Sequence, residues 1–236
     1  MLAESLCIIP ARGGSKRLPR KNLALLADRP LLAYTIEAAL QSQVFEQVCV
    51  STEDEGIANV ARQYGASVPF IRPPELSADS VGVVQVCLHA LDFFAEHSLR
   101  SDILGVLLPT SPLRTAGDIQ DAYERFLSSD ADFLMSVTDY VYSPFQALHE
   151  QEGFLKPFWD PTYYRKHSQE LPRVVVDNGA IYLMHVEAFR RERIFYGKRL
   201  IGHYMPQERS IDVDDAYTFE LANLLLQRQR HPDGGS

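Results

Sequence analysis

The chain has 236 residues, 46% hydrophobic and 23% charged, a balance that fits neither a disordered nor a fibrous polypeptide and supplies a full core without disulfides or structural metal. Its 31 Asp and Glu outweigh 23 Lys and Arg, and the net charge of -8 argues against a general binder of nucleic acid or anionic membranes. An anionic ligand must therefore meet a local cluster of basic side chains.

In chain order, short apolar runs alternate with stretches of helical periodicity. The spacing predicts a strand at 6–11, a helix at 31–41, a strand at 47–52, a helix at 55–64 and a strand at 67–71. A helix at 83–96, a strand at 103–108, a helix at 116–127 and a strand at 133–137 continue the rhythm. This alternation is that of an α/β domain whose mainly parallel sheet is covered on both faces, one domain over 1–236. From 140 to 172 the rhythm breaks into a segment rich in proline and rings, among them Pro144, Phe145, Pro157, Phe158, Trp159, Pro161, Tyr163 and Tyr164. It reads as an insertion whose rings serve an interface between chains, with a loop folded over its own domain as the plainer alternative. Strands return at 174–176, 180–184 and 200–205, a helix follows from about 216 to 229, and the tail 231–236 is expected to fray.

Cys7, Cys49 and Cys87 each sit in an apolar run and read as small buried hydrophobes, which suits a reducing compartment, the cytoplasm. No apolar stretch approaches the roughly 20 residues of a membrane span, and 5–11 is too short for a signal-peptide core.

The first strand runs into Arg12-Gly13-Gly14-Ser15-Lys16-Arg17-Leu18-Pro19-Arg20-Lys21-Asn22, with five basic residues and no acid between Ser5 and Ala27. Two glycines permit positive φ and let backbone N–H groups approach a phosphate. A loop at the carboxyl end of a parallel strand is where such sheets place ligands, so a polyphosphate site is expected. The loop matches neither the P-loop nor the dinucleotide fingerprint. A solvated basic turn is the alternative.

Near the other terminus, Ser210-Ile211-Asp212-Val213-Asp214-Asp215 alternates apolar and acidic residues, so an extended segment projects Asp212 and Asp214 to one face. Two adjacent carboxylates call for a cation, and with phosphate oxygens they suit Mg²⁺, while Asp215 alone suffices to cap the following helix. Histidine and cysteine spacings do not support zinc, and no nucleophile elbow is present. Pro109-Thr110-Ser111-Pro112-Leu113-Arg114 closes a buried strand with hydroxyls and a guanidinium suited to a carboxylate or sugar, or else simply enters a helix. Asp177-Asn178-Gly179 reads as a hairpin turn or as part of a site.

Together these segments, with Ile9-Pro10-Ala11, Val50-Ser51-Thr52, Arg72-Pro73 and Asn178-Gly179-Ala180-Ile181-Tyr182, resemble the acylneuraminate cytidylyltransferases, which make CMP-activated sialic acids and related nine-carbon acids. The resemblance spans 8–214 in the family's order. It implies a Rossmann-like three-layer sandwich, CTP and Mg²⁺, a nonulosonic acid as acceptor, and a homodimer in which the 140–172 insertion meets the partner. By matching position, Ala11, Arg12, Gly13, Gly14, Ser15, Lys16, Lys21 and Asn22 would line the CTP site, with Arg72 near the nucleoside. Pro109, Thr110, Ser111, Arg114, Gln169 and Asn178 would meet the sugar acid, and Asp212 and Asp214 the metal. Arg12, Lys21, Asp212 and Asp214 would carry the catalysis, in which the anomeric hydroxyl attacks the α-phosphorus of CTP and pyrophosphate leaves.

Departures in His167-Ser168-Gln169-Glu170-Leu171-Pro172 and Val176-Asp177 bear on the acyl sugar and leave legionaminic, N-acetylneuraminic and other nonulosonic acids open. A transferase for the related eight-carbon acid, another sugar nucleotidylyltransferase and a CTP-binding regulator without chemistry are the competing functions.

Overall fold

The computed structural model describes residues 4–230; the tail 231–236 lies outside the described residues, as do residues 1–3. Strand β1 (Ser5–Pro10) leads through a basic loop to a two-residue hairpin, β2 (Leu25–Leu26) and β3 (Arg29–Pro30). Helix α1 (Leu31–Ser42), strand β4 (Gln47–Ser51) and helix α2 (Glu55–Gln63) follow, then helix α3 (Val83–Glu96) and strand β5 (Ile103–Val106). The second half holds helix α4 (Ala116–Leu127), strand β6 (Phe133–Asp139), a hairpin of β7 (Leu148–Gln151) and β8 (Phe154–Pro157), and strand β9 (Val175–His185). It ends with helix α5 (Val186–Glu192), strand β10 (Leu200–Tyr204) and helix α6 (Ala216–Arg230).

Six strands form one sheet in the order β10-β6-β9-β5-β1-β4. All pairs are parallel except those of β9, which runs antiparallel to both β5 and β6. The expected three layers are present, because side chains alternate along β1. Cys7 and Ile9 join a core cluster with Leu32, Ile36 and Ile57 from α1 and α2, whereas Leu6 and Ile8 join Cys87, Leu91 and Phe94 from α3. Covered on both faces, β1 and β5 are apolar almost throughout, and each fully buried Leu or Ile contributes about 1.5–3 kcal/mol over exposure.

Helices α2 and α4 begin at side-chain caps. Asp54 accepts from the Ile57 N–H, and Thr115 and Asp118 form a reciprocal capping box. The three cysteines are free and buried, and burial pushes their thiols up, that of Cys49 to about 12. Among the described residues no helix is long and apolar enough to cross a membrane.

The structure corrects three expectations. The strand predicted at 67–71 is a single bridge from Ser67 to Cys49, because Pro69 has no N–H with which to continue the ladder. The runs expected at 174–176 and 180–184 join in one strand that begins at Val175, and Asn178-Gly179 is a bulge in it rather than a hairpin turn. Pairing jumps from Met135 opposite Tyr182 to Val137 opposite Asp177, and Gly179 takes up the extra length at φ 69°. Thirdly, Gly13 and Gly14 do not have positive φ; in that loop Arg20 does.

The segment 140–172 contains the β7–β8 hairpin, which pairs only with itself. Phe145 packs on Trp159 and Tyr163, yet Tyr142 is 86% exposed, Phe154 71% and Phe158 60%.

Candidate active site

A cavity of about 540 Å³ opens beside the carboxyl ends of β1 and β5. Its floor depends on how the first loop leaves the sheet. The Ala11 N–H donates to Ser51 O at 3.0 Å, extending the β1–β4 ladder by one residue before the chain turns away. Asn22 Nδ2 then donates to Arg12 O at 2.9 Å, and the Gly13 N–H donates to Glu53 Oε1 at 2.7 Å. Close approach is what requires glycine at 13: a Cβ there would lie 2.8 Å from Asp54 Oδ2, the acid that caps α2, while a Cβ on Gly14 would meet nothing within 4 Å.

Each cation of the loop faces a carboxylate. Arg12 and Lys16 reach Asp79 at 2.9 and 2.5 Å, and Arg17 pairs with Asp214. Buried Lys21 donates to Val213 O at 2.7 Å and lies 3.3 Å from Asp214 Oδ1. Burial pushes the Lys21 pKa down, opposed in part by Asp212, and Arg17 and Arg12 push it further down. Behind the loop, the buried Arg72 guanidinium donates to Glu53 and to Ser77 Oγ. Burial alone would raise the Glu53 pKa, but its bonds from Arg72 and the Gly13 N–H hold it below the usual carboxylate range.

Of the residues singled out in the sequence, Arg12, Ser15, Lys16, Lys21 and Asn22 line the cavity together with Arg72. Pro109, Thr110 and Asp214 line it from the other side. Asn22 keeps its buried Oδ1 without a partner. Asp212 is exposed and not in the cavity lining, although its charge acts on Lys21 and on Tyr182. Ser111 and Arg114 are buried behind the lining. Arg114 Nη1 donates to Ala180 O at 2.6 Å, where β9 bulges, and burial lowers its pKa to about 10. Asn178 accepts from Ser136 Oγ at 2.6 Å and donates to Ser210 Oγ at 2.8 Å, joining the bulge to the acidic segment. Gln169 is exposed in a turn of the 140–172 segment, outside the lining.

Sequence reasoning missed Glu53 and Asp79. Glu53 directly follows Val50-Ser51-Thr52 at the carboxyl end of β4, a position that could have flagged it. Nothing local marks Asp79, which meets Arg12 across 67 residues. The arrangement places four loop cations, a buried arginine and the carboxylates of Asp79 and Asp214 around one concave space, which is the equipment for holding a polyphosphate and acting on a group beside it.

The chain matches the model of the family described as Cytidylyltransferase over residues 6–192. It is 34% identical over 224 residues to the pseudaminic acid cytidylyltransferase of Campylobacter jejuni, covering 95% of this chain and 97% of that one. It is 36% identical over 229 residues to the CMP-N,N'-diacetyllegionaminic acid synthase of Legionella pneumophila, covering 94% and 96%. With the N-acylneuraminate cytidylyltransferase of Escherichia coli it shares 34% over 230 residues, 97% of this chain and 54% of that one. Among solved structures, a CMP:2-keto-3-deoxy-manno-octonic acid synthetase complexed with CTP has the same fold, at TM-score 0.69 and 17% identity, covering 96% of this chain and 100% of that one.

Proposed function

Because the chain belongs to the cytidylyltransferase family, we propose that it activates a nine-carbon 2-keto sugar acid with CTP. The anomeric hydroxyl attacks the α-phosphorus, the bond from that phosphorus to the bridging oxygen breaks, and CMP-sugar and pyrophosphate result. Such a transfer asks for charge neutralisation and in-line placement more than for a covalent nucleophile. Arg12, Lys16 and Lys21 offset the charge of the leaving pyrophosphate, Ser15 and the loop backbone orient it, and Asp212 or Asp214 accepts the proton of the attacking hydroxyl.

What carries this function is the contact of Lys21 with Val213 and Asp214, which brings the basic loop and the acidic segment to one cavity. The named relatives act on pseudaminic, N-acylneuraminic and legionaminic acids, which supports a nonulosonic acid as acceptor.

The donor chemistry of Asp212 and Asp214 fits Mg²⁺, a hard cation that takes one or two carboxylates plus substrate phosphates. Among the described residues no group of three or more His, Cys, Asp or Glu offers a self-sufficient metal cage. Mg²⁺ held there would polarise the α-phosphate and acidify the attacking hydroxyl. The exposed rings of 140–172 support a homodimer built on that segment, and three free, buried cysteines support a reducing compartment such as the cytoplasm.

The test is pyrophosphate release from CTP and Mg²⁺ with pseudaminic, N-acetylneuraminic, N,N'-diacetyllegionaminic and eight-carbon acids. Release with a nine-carbon acid and CTP, but not with ATP, is expected. CTP binding without release across the panel would replace the transferase with a regulator, and release only with the eight-carbon acid would reassign the acceptor.

A further inference from the structure

Asp118 does two jobs with one carboxylate. As the third residue of α4 it accepts from the Thr115 N–H at 2.9 Å and from Thr115 Oγ1 at 2.7 Å, which completes the helix cap. A cap needs no more than that. The same buried group also takes a two-pronged contact from Arg209, 91 residues away: Nη2 lies 2.8 Å from Oδ1 and Nε 3.0 Å from Oδ2. Charge-assisted, forked pairs of this kind fix direction as well as distance.

Arg209 immediately precedes the acidic segment. Residues 210–215 lie in neither strand nor helix, so no ladder of backbone bonds sets where Asp212 and Asp214 stand. A few separate ties do so instead, most of them from side chains. At one end Arg209 is held by Asp118, and Ser210 Oγ accepts from Asn178 and donates to Pro206 O at 2.8 Å. At the other, the Val213 N–H donates to Thr110 O at 2.7 Å and Val213 O accepts from Lys21. Asp118 also stands four residues after Arg114, at the root of the loop that carries Thr110. One carboxylate therefore ties together two segments that line the cavity.

We propose that Asp118 and Arg209 are positioning residues that set the acidic segment against the cavity. The proposal rests on the cytidylyl transfer proposed above for its kinetic consequence but not for its structural one. In D118N and R209Q, kcat should fall ~10- to 100-fold while KM for CTP stays within about twofold, since a shift of about 1 Å at the reacting groups costs that much and Arg12 and Lys16 still hold the triphosphate. R209K keeps the charge without the fork, so its kcat should fall with that of R209Q. The D118N/R209Q double variant should be no worse than the poorer single one.

Amide hydrogen exchange gives the readout that needs no substrate. The Val213 N–H should exchange at least about tenfold faster in R209Q, with 180–184 of β9 unchanged. Because Arg209 is a third exposed, R209Q keeps the test valid if D118N folds poorly. Unchanged Val213 exchange in R209Q would overturn the proposal, as would wild-type kcat in R209K. A wild-type protein without pyrophosphate release would remove the transferase reading alone, leaving the exchange measurement to decide the positioning role.

Discussion

Lys21 and Asp214 meet at 3.3 Å across 193 residues of chain, with the Lys21 ammonium also bonded to the carbonyl of Val213 at 2.7 Å. A lysine so nearly buried is unfavourable unless anions surround it, and burial does push its pKa down. Its position makes sense as the link between the loop proposed to hold the triphosphate and the carboxylates proposed to act beside it.

Lys21→Met should lower kcat/KM for CTP by about 10²–10³-fold, the loss seen when one preorganised donor to a developing oxyanion is removed. Steady-state kinetics with varied CTP check this, and unaltered CTP kinetics would dissociate the loop from the nucleotide.

Asp214→Asn keeps the shape of the side chain but removes the charge that Arg17 and Lys21 face. Turnover should nearly vanish while the melting temperature stays close to wild type, because Asp214 and Arg17 are exposed, exposed ion pairs contribute about 0–1 kcal/mol, and buried Lys21 keeps its bond to Val213 O. A variant with wild-type turnover and unchanged Mg²⁺ dependence would remove Asp214 from the chemistry.

The two loop glycines should behave differently. Gly13→Ala presses a methyl group against the acid that caps α2 and should destabilise the protein by about 1–3 kcal/mol, whereas Gly14→Ala points into open space and should be close to neutral. Urea midpoints of the two variants decide it; equal midpoints would mean that the Gly13–Asp54 approach is relaxed in solution.

Glu53 titrates below its ordinary value in the folded protein, so the native state binds fewer protons than the unfolded chain. Its contribution to stability is present above the unfolded carboxyl pKa of about 4.3 and is lost as pH falls through the lower folded value. Glu53→Gln should therefore be less stable than wild type at pH 7, with the gap closing below about pH 4. A gap of constant size from pH 7 to 3.5, read from urea midpoints, would contradict this.

Phe158→Asp places a charge among exposed rings of the 140–172 segment and, on the homodimer proposed above, should shift sedimentation from dimer to monomer. A wild-type protein that sediments as a monomer would return that segment to its own domain.

Much of the fold was legible along the chain. Helices α3 and α4 carry the bounds expected from their periodicity; β1 is shifted by one residue, and β4 and β5 start where expected but end one and two residues early. The basic loop was also legible, because its charges are consecutive in sequence and follow a strand end. Asp79, Asp118 and Arg209 carry no such local mark.

Local periodicity and clustered motifs by themselves determined the layered α/β plan, the phosphate-suited loop and the acidic pair, since each is written within a few consecutive residues. Tertiary structure alone decided that β9 runs against its neighbours, that Asn178-Gly179 is a bulge, and that Arg114 turns inward to a strand carbonyl while Lys21 reaches Val213. Those outcomes depend on which backbone group or charge lies opposite once segments dozens to nearly two hundred residues apart have packed. Burial then decides which polar atoms must find partners within the protein and which remain for a ligand.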